Sequence, residues 1–287
     1  MRKVAIQGRV GSFHDIAAHA YFGGEEIELM CCATFEEVFD EVAAGRAAGM
    51  AAIENTIAGS LLHNYELLRD SGVVVTGEYK LHIEHSICCL PDDDWHSLCE
   101  VHSHPVALMQ CRHYLSRRDG LKIVEAEDTA GAAELIARDR RKGWAAICHA
   151  SAARRLGLRI LEEQIEDNKH NYTRFLVVED EKTASDKPGT SLPRGGAGGE
   201  LSPDKANLVF ALPHAEGALS KVLTILSFYD MNLTKIQSLP IIGHEWEYLF
   251  YVDVTFSNGE RFRQAIDAIT PLTSDLKILG VYKKYEL

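Results

Sequence analysis

Asn171-Tyr172-Thr173-Arg174-Phe175-Leu176-Val177-Val178 passes from polar side chains into an unbroken apolar run. Such a run, rich in aromatic and β-branched residues and bounded by polar ones, reads as a buried strand. Neighbours on a strand point to opposite faces, so Thr173 and Phe175 share one face and Arg174 takes the other, unless a bulge or strand end turns them together. Arg174 brings a planar fork suited to a carboxylate, and Thr173 a compact hydroxyl donor. Taken alone, the stretch is a strand that starts beside a surface arginine; its surroundings point further.

Upstream, short apolar strands alternate with helices. Val4–Gln7 leads to a helix from Ser12 to about Phe22, and Glu28–Cys31 to a helix opening at Thr34 with a T-x-x-E capping box to Glu37. Met50–Ile53 precedes a helix near Leu61–Leu68; Val73–Thr76 and His82–Cys89 follow as strands. Then come Glu100–His102, a helix from Pro105 to about Arg117, Lys122–Ala126, a helix from Thr129 capped by Asp128, Ala145–Cys148, a helix through Arg155, and Leu158–Leu161. The alternation predicts an α/β fold with a largely parallel sheet, and the strand number suggests two lobes around a cleft. Ligands in such folds sit at the carboxyl ends of strands, where helices begin.

Downstream, residues 183–204 carry Pro188, Gly189, Pro193, Gly195, Gly196, Gly198, Gly199 and Pro203 with serines between, a composition that reads as a flexible linker. It separates residues 1–180 from residues 206–287. The latter read as strand Asn207–Leu212, helix Ala218–Tyr229, strands Leu233–Leu239 and Tyr248–Thr255, helix Arg261–Ile269 and strand Leu276–Tyr285, the ferredoxin-like order βαββαβ of an α+β domain.

At 287 residues the size prior favours about two domains, and 46 % hydrophobic with 25 % charged residues is ordinary for a globular protein. No apolar run is long enough to span a bilayer, and Met1-Arg2-Lys3-Val4-Ala5-Ile6-Gln7-Gly8 lacks the apolar core of a signal peptide. The net charge of −12 argues against a nucleic-acid partner. Seven cysteines, odd in number with two vicinal pairs and no C-x-x-C, predict buried thiols in a reducing cytoplasm. The histidines near Cys99 match no zinc spacing, so no metal is expected.

The strand-to-helix junctions carry small or hydroxylated residues. Gly8-Arg9-Val10-Gly11-Ser12 allows close backbone approach at a helix start but is neither a dinucleotide fingerprint nor a Walker loop. Glu54-Asn55-Thr56-Ile57-Ala58-Gly59-Ser60 offers amide and hydroxyl, for capping or for a ligand. Ser103-His104-Pro105 places a serine cap and a first-turn proline, with Gln110 two turns on, and Asp128-Thr129-Ala130-Gly131 a capping aspartate beside a hydroxyl. Converging on one cleft with Thr173 and Arg174, these turns would make a polar pocket for a small oxyanion.

Glu54-Asn55-Thr56, Ser103-His104-Pro105 running to Gln110-Cys111, Asp128-Thr129-Ala130 and Asn171-Tyr172-Thr173-Arg174-Phe175 together resemble the monofunctional prephenate dehydratases. Gly217-Ala218-Leu219 and Asn232-Leu233-Thr234-Lys235-Ile236 resemble the ACT regulatory domain that follows in that family. The resemblance implies a two-lobed catalytic domain similar to type II periplasmic binding proteins, with prephenate in the cleft, converted to phenylpyruvate with loss of water and carbon dioxide. It implies no metal or organic cofactor. Thr173 would stabilise the departing ring hydroxyl and Arg174 would hold a carboxylate. Ser12, Asn55, Thr56, Ser103, Gln110, Thr129, Asn171 and Phe175 would complete the substrate site. Phenylalanine would act as effector at Gly217, Ala218, Leu219, Asn232, Leu233, Gln237 and Ser238, in a homodimer or homotetramer. The chain departs from the family in Arg9, where proline is usual, in Ser12, where threonine is, and in Gln237-Ser238-Leu239-Pro240, where Glu-Ser-Arg-Pro is. Arogenate dehydratase, acting on the amino-acid analogue, and a non-catalytic binding protein of the same two-lobed fold are the alternatives.

Overall fold

The computed structural model describes residues 1–185, 202–241, 243 and 247–285, and the chain forms two compact units. Met1–Val38, Met50–Leu61 and Tyr79–Phe175 make the first; Phe39–Gly49, Leu62–Glu78 and the chain from Leu176 onward make the second. The middle of the expected linker, residues 186–201, lies outside the described residues; Thr183–Ser185 end a short helix.

In chain order the elements are β1 (Arg2–Gln7), α1 (Phe13–Tyr21), β2 (Ile27–Cys32), α2 (Phe35–Ala43), β3 (Ala48–Asn55), β4 (Gly59–Ser60), α3 (Leu62–Asp70), β5 (Val73–His82), β6 (Ser86–Cys89) and β7 (Glu100–Ser103). Next are α4 (Pro105–Gln110), α5 (Arg112–Leu115), β8 (Lys122–Glu125), α6 (Thr129–Asp139), β9 (Trp144–Cys148), α7 (Ala150–Arg155), β10 (Arg159–Glu162), β11 (Tyr172–Asp180) and α8 (Glu181–Ser185). The last are β12 (Lys205–Leu212), α9 (Ala218–Phe228), β13 (Asn232–Pro240), β14 (Tyr248–Thr255), α10 (Gly259–Ile269), a 3-10 turn over Thr270–Leu272, and β15 (Ser274–Tyr282).

The first unit has two lobes. In one, β11, β3, β1 and β2 lie side by side in that order, β1 and β2 parallel with Val4 opposite Leu29. In the other, a five-stranded sheet runs β10-β6-β9-β7-β8, parallel from β9 to β8 and antiparallel from β10 to β9. The sheet is therefore mixed, where alternation alone predicted a parallel one. Its faces are covered by two apolar clusters, one around Ile87, Val101, Leu108 and Ile147, the other around Ala133, Ile136, Ala146 and Ala153. Alanines dominate the second cluster because α6 and α7 lie close to the strands.

The helix expected from Pro105 to Arg117 breaks at Cys111. Asp167 is the cause: its N–H takes the Gln110 carbonyl at 2.8 Å, and its carboxylate takes the N–H groups of His113 and Tyr114 at 2.8 and 3.1 Å. A helical ladder cannot continue through donors and an acceptor already engaged. The expected serine cap is also displaced: His104 is the N-cap, its Nδ1 accepting from Val106 N–H, with Pro105 in the first turn. Not every thiol is buried, since Cys31 and Cys99 are exposed.

In the second unit β12-α9-β13-β14-α10-β15 has the expected order. The strands lie β13-β14-β12-β15 and their pairs are antiparallel, over a core of Leu208, Phe210, Val252, Val254 and Phe262. β15 continues this sheet by pairing in parallel with β5 at Gly280 and Val75, where any Cβ on Gly280 would overlap the Val75 carbonyl. Beside that junction the buried Lys205 ammonium contacts both Glu78 oxygens at 2.9 and 2.8 Å. No helix among the described residues is long and apolar enough to cross a membrane.

Candidate active site

A cavity of about 290 Å³ opens in the first unit, near the lower end of small-molecule sites. Ser12, Asn55, Gln110, Thr129, Thr173 and Phe175, all expected, line it. So do His14, His85, His104 and Asp128, none of which was assigned to the substrate.

The remaining expected residues stand elsewhere. Thr173 and Phe175 face the cavity while Arg174, between them, is buried and absent from its wall, as strand alternation requires. Arg174, expected to hold a carboxylate, thus stands off the wall that carries Thr173 and Phe175. Ser103 is wholly buried and its hydroxyl donates to the Ile147 carbonyl at 2.7 Å, a tie between β7 and β9. Thr56 is exposed; its hydroxyl accepts from Tyr172 N–H at 2.9 Å and donates to His170 O at 3.1 Å, pinning the start of β11. Asn171 is buried behind the wall and reaches the site through its neighbours.

Those neighbours form a closed ring of three amides. Asn55 Nδ2 donates to Asn171 Oδ1 at 2.8 Å, Asn171 Nδ2 to Gln110 Oε1 at 3.0 Å, and Gln110 Nε2 to Asn55 Oδ1 at 3.4 Å. Its direction is set from outside. The N–H groups of Ile57 and Ala58 donate to Asn55 Oδ1 at 2.9 and 2.8 Å, so that atom must be the oxygen. Asn55 Nδ2 therefore also donates to Thr173 Oγ1, at 3.0 Å. With its oxygen taken as acceptor, the Thr173 hydroxyl keeps its proton for something in the cavity.

Three histidines complete the wall. His104 Nδ1 accepts from the Val106 N–H, so the neutral ring carries its proton on Nε2. Burial pulls the His104 and His85 pKa values below the ordinary imidazole value, against the opposing pull of Asp128 and Glu125 on the first and of Gln110 and Glu166 on the second. Burial pushes His14 down to about 4, and its ring stands edge-on to Phe175 at 5.1 Å.

Among the described residues, no lysine or arginine lines the cavity. Arg9 is engaged instead by Asp128 at 2.9 Å and Glu134 at 3.2 Å. α1 and α6 begin at the wall, capped by Ser12 and Asp128, and the α6 start is already met by the Asp128 carboxylate, which accepts from the Gly131 N–H. The N–H groups of Phe13 and His14 precede the first hydrogen bonds of α1, where N–H groups and the helix dipole favour negative charge. The site thus offers a free hydroxyl donor, neutral imidazoles, an aromatic floor and N–H groups for carboxylates.

Comparison with known proteins agrees. The family model described as prephenate dehydratase matches residues 4–183. The arogenate dehydratase/prephenate dehydratase 6 of Arabidopsis thaliana is 34 % identical over 98 % of this chain and 68 % of its own length. The bifunctional chorismate mutase/prephenate dehydratase of Aquifex aeolicus is 33 % identical over 98 % and 74 %. Among solved structures, GqqA, described as a novel type of quorum quenching acylase, superposes with a TM-score of 0.84 at 31 % identity, covering 99 % of this chain and 98 % of that one. The prephenate dehydratase of Arthrobacter aurescens in complex with L-Phe gives 0.82 at 25 % identity, covering 98 % and 90 %. With a hydroxyl left free to donate on β11 and a match running the length of the first unit's strands, the chain belongs to the prephenate dehydratase family.

Proposed function

We propose that the cavity of the first unit converts prephenate to phenylpyruvate. The bond from the ring to its carboxylate breaks to release carbon dioxide. That electron pair flows through the ring, and the carbon–oxygen bond to the ring hydroxyl breaks at the far side. The hydroxide equivalent takes up a proton and leaves as water, and the ring becomes aromatic. The demanding event is charge appearing on the departing oxygen. The observation that carries the reading is the Asn55-to-Thr173 hydrogen bond, which leaves the Thr173 proton available to that oxygen. Threonine is a weak acid, so its part is hydrogen-bond stabilisation that strengthens as the bond breaks.

The carboxylate that leaves should not be gripped tightly. A carboxylate clamped by a fixed cation would be stabilised before decarboxylation more than after it, which raises no rate. Helix N–H groups, Ser12 and the His104 Nε2–H supply the remaining contacts, with Thr129 at the start of α6 and Phe175 against the ring.

The catalytic region is residues 1–180, and the βαββαβ segment over residues 206–287 is an ACT regulatory domain that responds to L-phenylalanine in a homodimer or homotetramer. Gly217 caps α9 with a φ of 71°, Ala218 and Leu219 open that helix, and Asn232 and Leu233 open β13. Further along the edge strand Ser238 is exposed while Leu239 is buried and Gln237 lies half-buried between exposed neighbours. Leu239 thus stands where the family's arginine would, and Gln237 where its glutamate would.

Phenylpyruvate formation from prephenate by the purified protein, followed by absorbance in alkali with and without phenylalanine, tests the reading. Arogenate run alongside separates the two substrates, a comparison called for by the Arabidopsis relative. No turnover of either would return the protein to the binding-protein alternative.

A further inference from the structure

His85 takes no part in the mechanism above, yet it is held on several sides. It is 1 % exposed. Its backbone N–H is held by Glu166 at 2.8 Å, and its ring stands edge-on to Phe13 at 5.5 Å. Its Nε2 lies 2.8 Å from Gln110 Oε1. The amide ring decides the tautomer. Ile57 and Ala58 fix Asn55, Asn55 fixes Asn171, and Asn171 donates to Gln110 Oε1, which is therefore an oxygen that can only accept. His85 Nε2 must then carry the proton. In the neutral ring Nδ1 is left as a bare lone pair, and it has no hydrogen-bond partner.

A buried acceptor without a donor is unfavourable and rare; Nδ1 is closed to water in the empty cavity, so a partner for it arrives only with a ligand that shifts the wall. Prephenate as a dianion offers many acceptors, in its two carboxylates and its keto oxygen, but one donor: the ring hydroxyl. We propose that His85 Nδ1 accepts the hydrogen bond of that hydroxyl, which turns the oxygen's own lone pairs toward the Thr173 proton. The proposal rests on the reading of the cavity as a prephenate site. The same lone pair repels a carboxylate or keto oxygen placed there, so His85 also sets which end of the substrate enters first. As the carbon–oxygen bond breaks, the departing oxygen gains negative charge and its O–H becomes a poorer donor. The contact is then stronger in the bound substrate than in the transition state, and its loss raises KM without lowering kcat.

Two substitutions separate the ring nitrogens. His85→Gln keeps an N–H near the Nε2 position for Gln110 and lacks an acceptor near Nδ1. His85→Asn places a carbonyl oxygen near Nδ1 and abandons Gln110. With prephenate, His85→Gln is expected to raise KM about fivefold with kcat within about twofold, the effect of one neutral hydrogen bond. His85→Asn is expected to hold KM nearer the wild-type value while lowering the melting temperature. In the unliganded protein, ¹⁵N resonances of labelled histidine should show Nε2 protonated and Nδ1 bare, with His85→Gln identifying the signals. A proton found on Nδ1, or a KM unmoved in His85→Gln while wild type turns prephenate over, overturns the inference and leaves the active site standing. A wild type that turns over no prephenate overturns the function instead, and this inference with it.

Discussion

Asn55 Nδ2 lies 3.0 Å from Thr173 Oγ1, and the orientation of that amide is imposed by the backbone N–H groups of Ile57 and Ala58. A turn between β3 and β4 thereby decides what a hydroxyl on β11 can do.

Thr173→Val keeps the shape of the wall and removes the donor. Loss of one such contact to a departing oxygen is expected to lower kcat by about 10²- to 10³-fold with KM changed only a few-fold, and Thr173→Ser should recover most of it. Steady-state kinetics on prephenate check this; a kcat near wild type in the valine variant removes Thr173 from the mechanism.

Asn55→Asp replaces the nitrogen with an oxygen that cannot donate to Thr173 or Asn171 and that faces the Asn171 oxygen across 2.8 Å. Turnover should fall by about 10²-fold, and melting temperature should fall with it, because the amide ring is broken at its anchored member. Equal kinetics in the variant would mean the ring plays no part in orienting Thr173.

Arg174→Lys tests whether the guanidinium touches the substrate. With the guanidinium buried away from the cavity wall, KM for prephenate is expected to stay within about twofold of wild type. The cost should appear in stability, since a buried ammonium cannot repeat the geometry of a planar guanidinium. A tenfold rise in KM would put Arg174 back against a substrate carboxylate.

His14 ties stability to pH. Its folded value lies near 4 against an ordinary 6.5, so the unfolded chain takes up the proton first. Stability present above pH 6.5 is therefore lost as pH falls toward 4, by up to roughly 3 kcal/mol at 1.36 kcal/mol per unit. Urea midpoints at pH 7 and pH 4.5 should differ less in His14→Phe than in wild type.

Lys205→Met should destabilise the second unit by about 3–5 kcal/mol, because Glu78 would be left buried with its ammonium gone. Glu78→Gln together with Lys205→Met should recover part of the loss in a thermal melt.

Much of this was legible in the chain. Ser12 and Asp128 announce α1 and α6 as caps, the Thr34–Glu37 box announces α2, and alternation over Thr173-Arg174-Phe175 assigns faces correctly. What local pattern does not carry is where a polar group finds its partner. Ser103 and Thr56 read as ligand hydroxyls, yet one is taken by a carbonyl 44 residues away and the other by the backbone of β11. Likewise Asp167, far along the chain, ends α4 at Gln110 and so aims that amide at Asn55. The histidines were missed for the same reason: a single His85 between Glu84 and Ser86 has no periodicity, and its meaning depends on Gln110 and Glu166 arriving from elsewhere.

The loop between β1 and α1 is fastened at two points to the opposite lobe. Arg9 reaches Asp128 and Glu134 on α6, and Arg155 of α7 donates to the Val10 carbonyl at 2.8 Å. Just after them Gly11, at a φ of 93°, comes so near α7 that an added Cβ would stand 3.1 Å from that of Ala152. These half-exposed ion pairs and the Val10 contact thus tie the loop that carries Ser12 to the lobe that carries Thr129. Salt loosens half-exposed ion pairs and also screens the repulsion between a chain of net charge −12 and a dianion, so both effects should quicken the arrival of substrate as ionic strength rises.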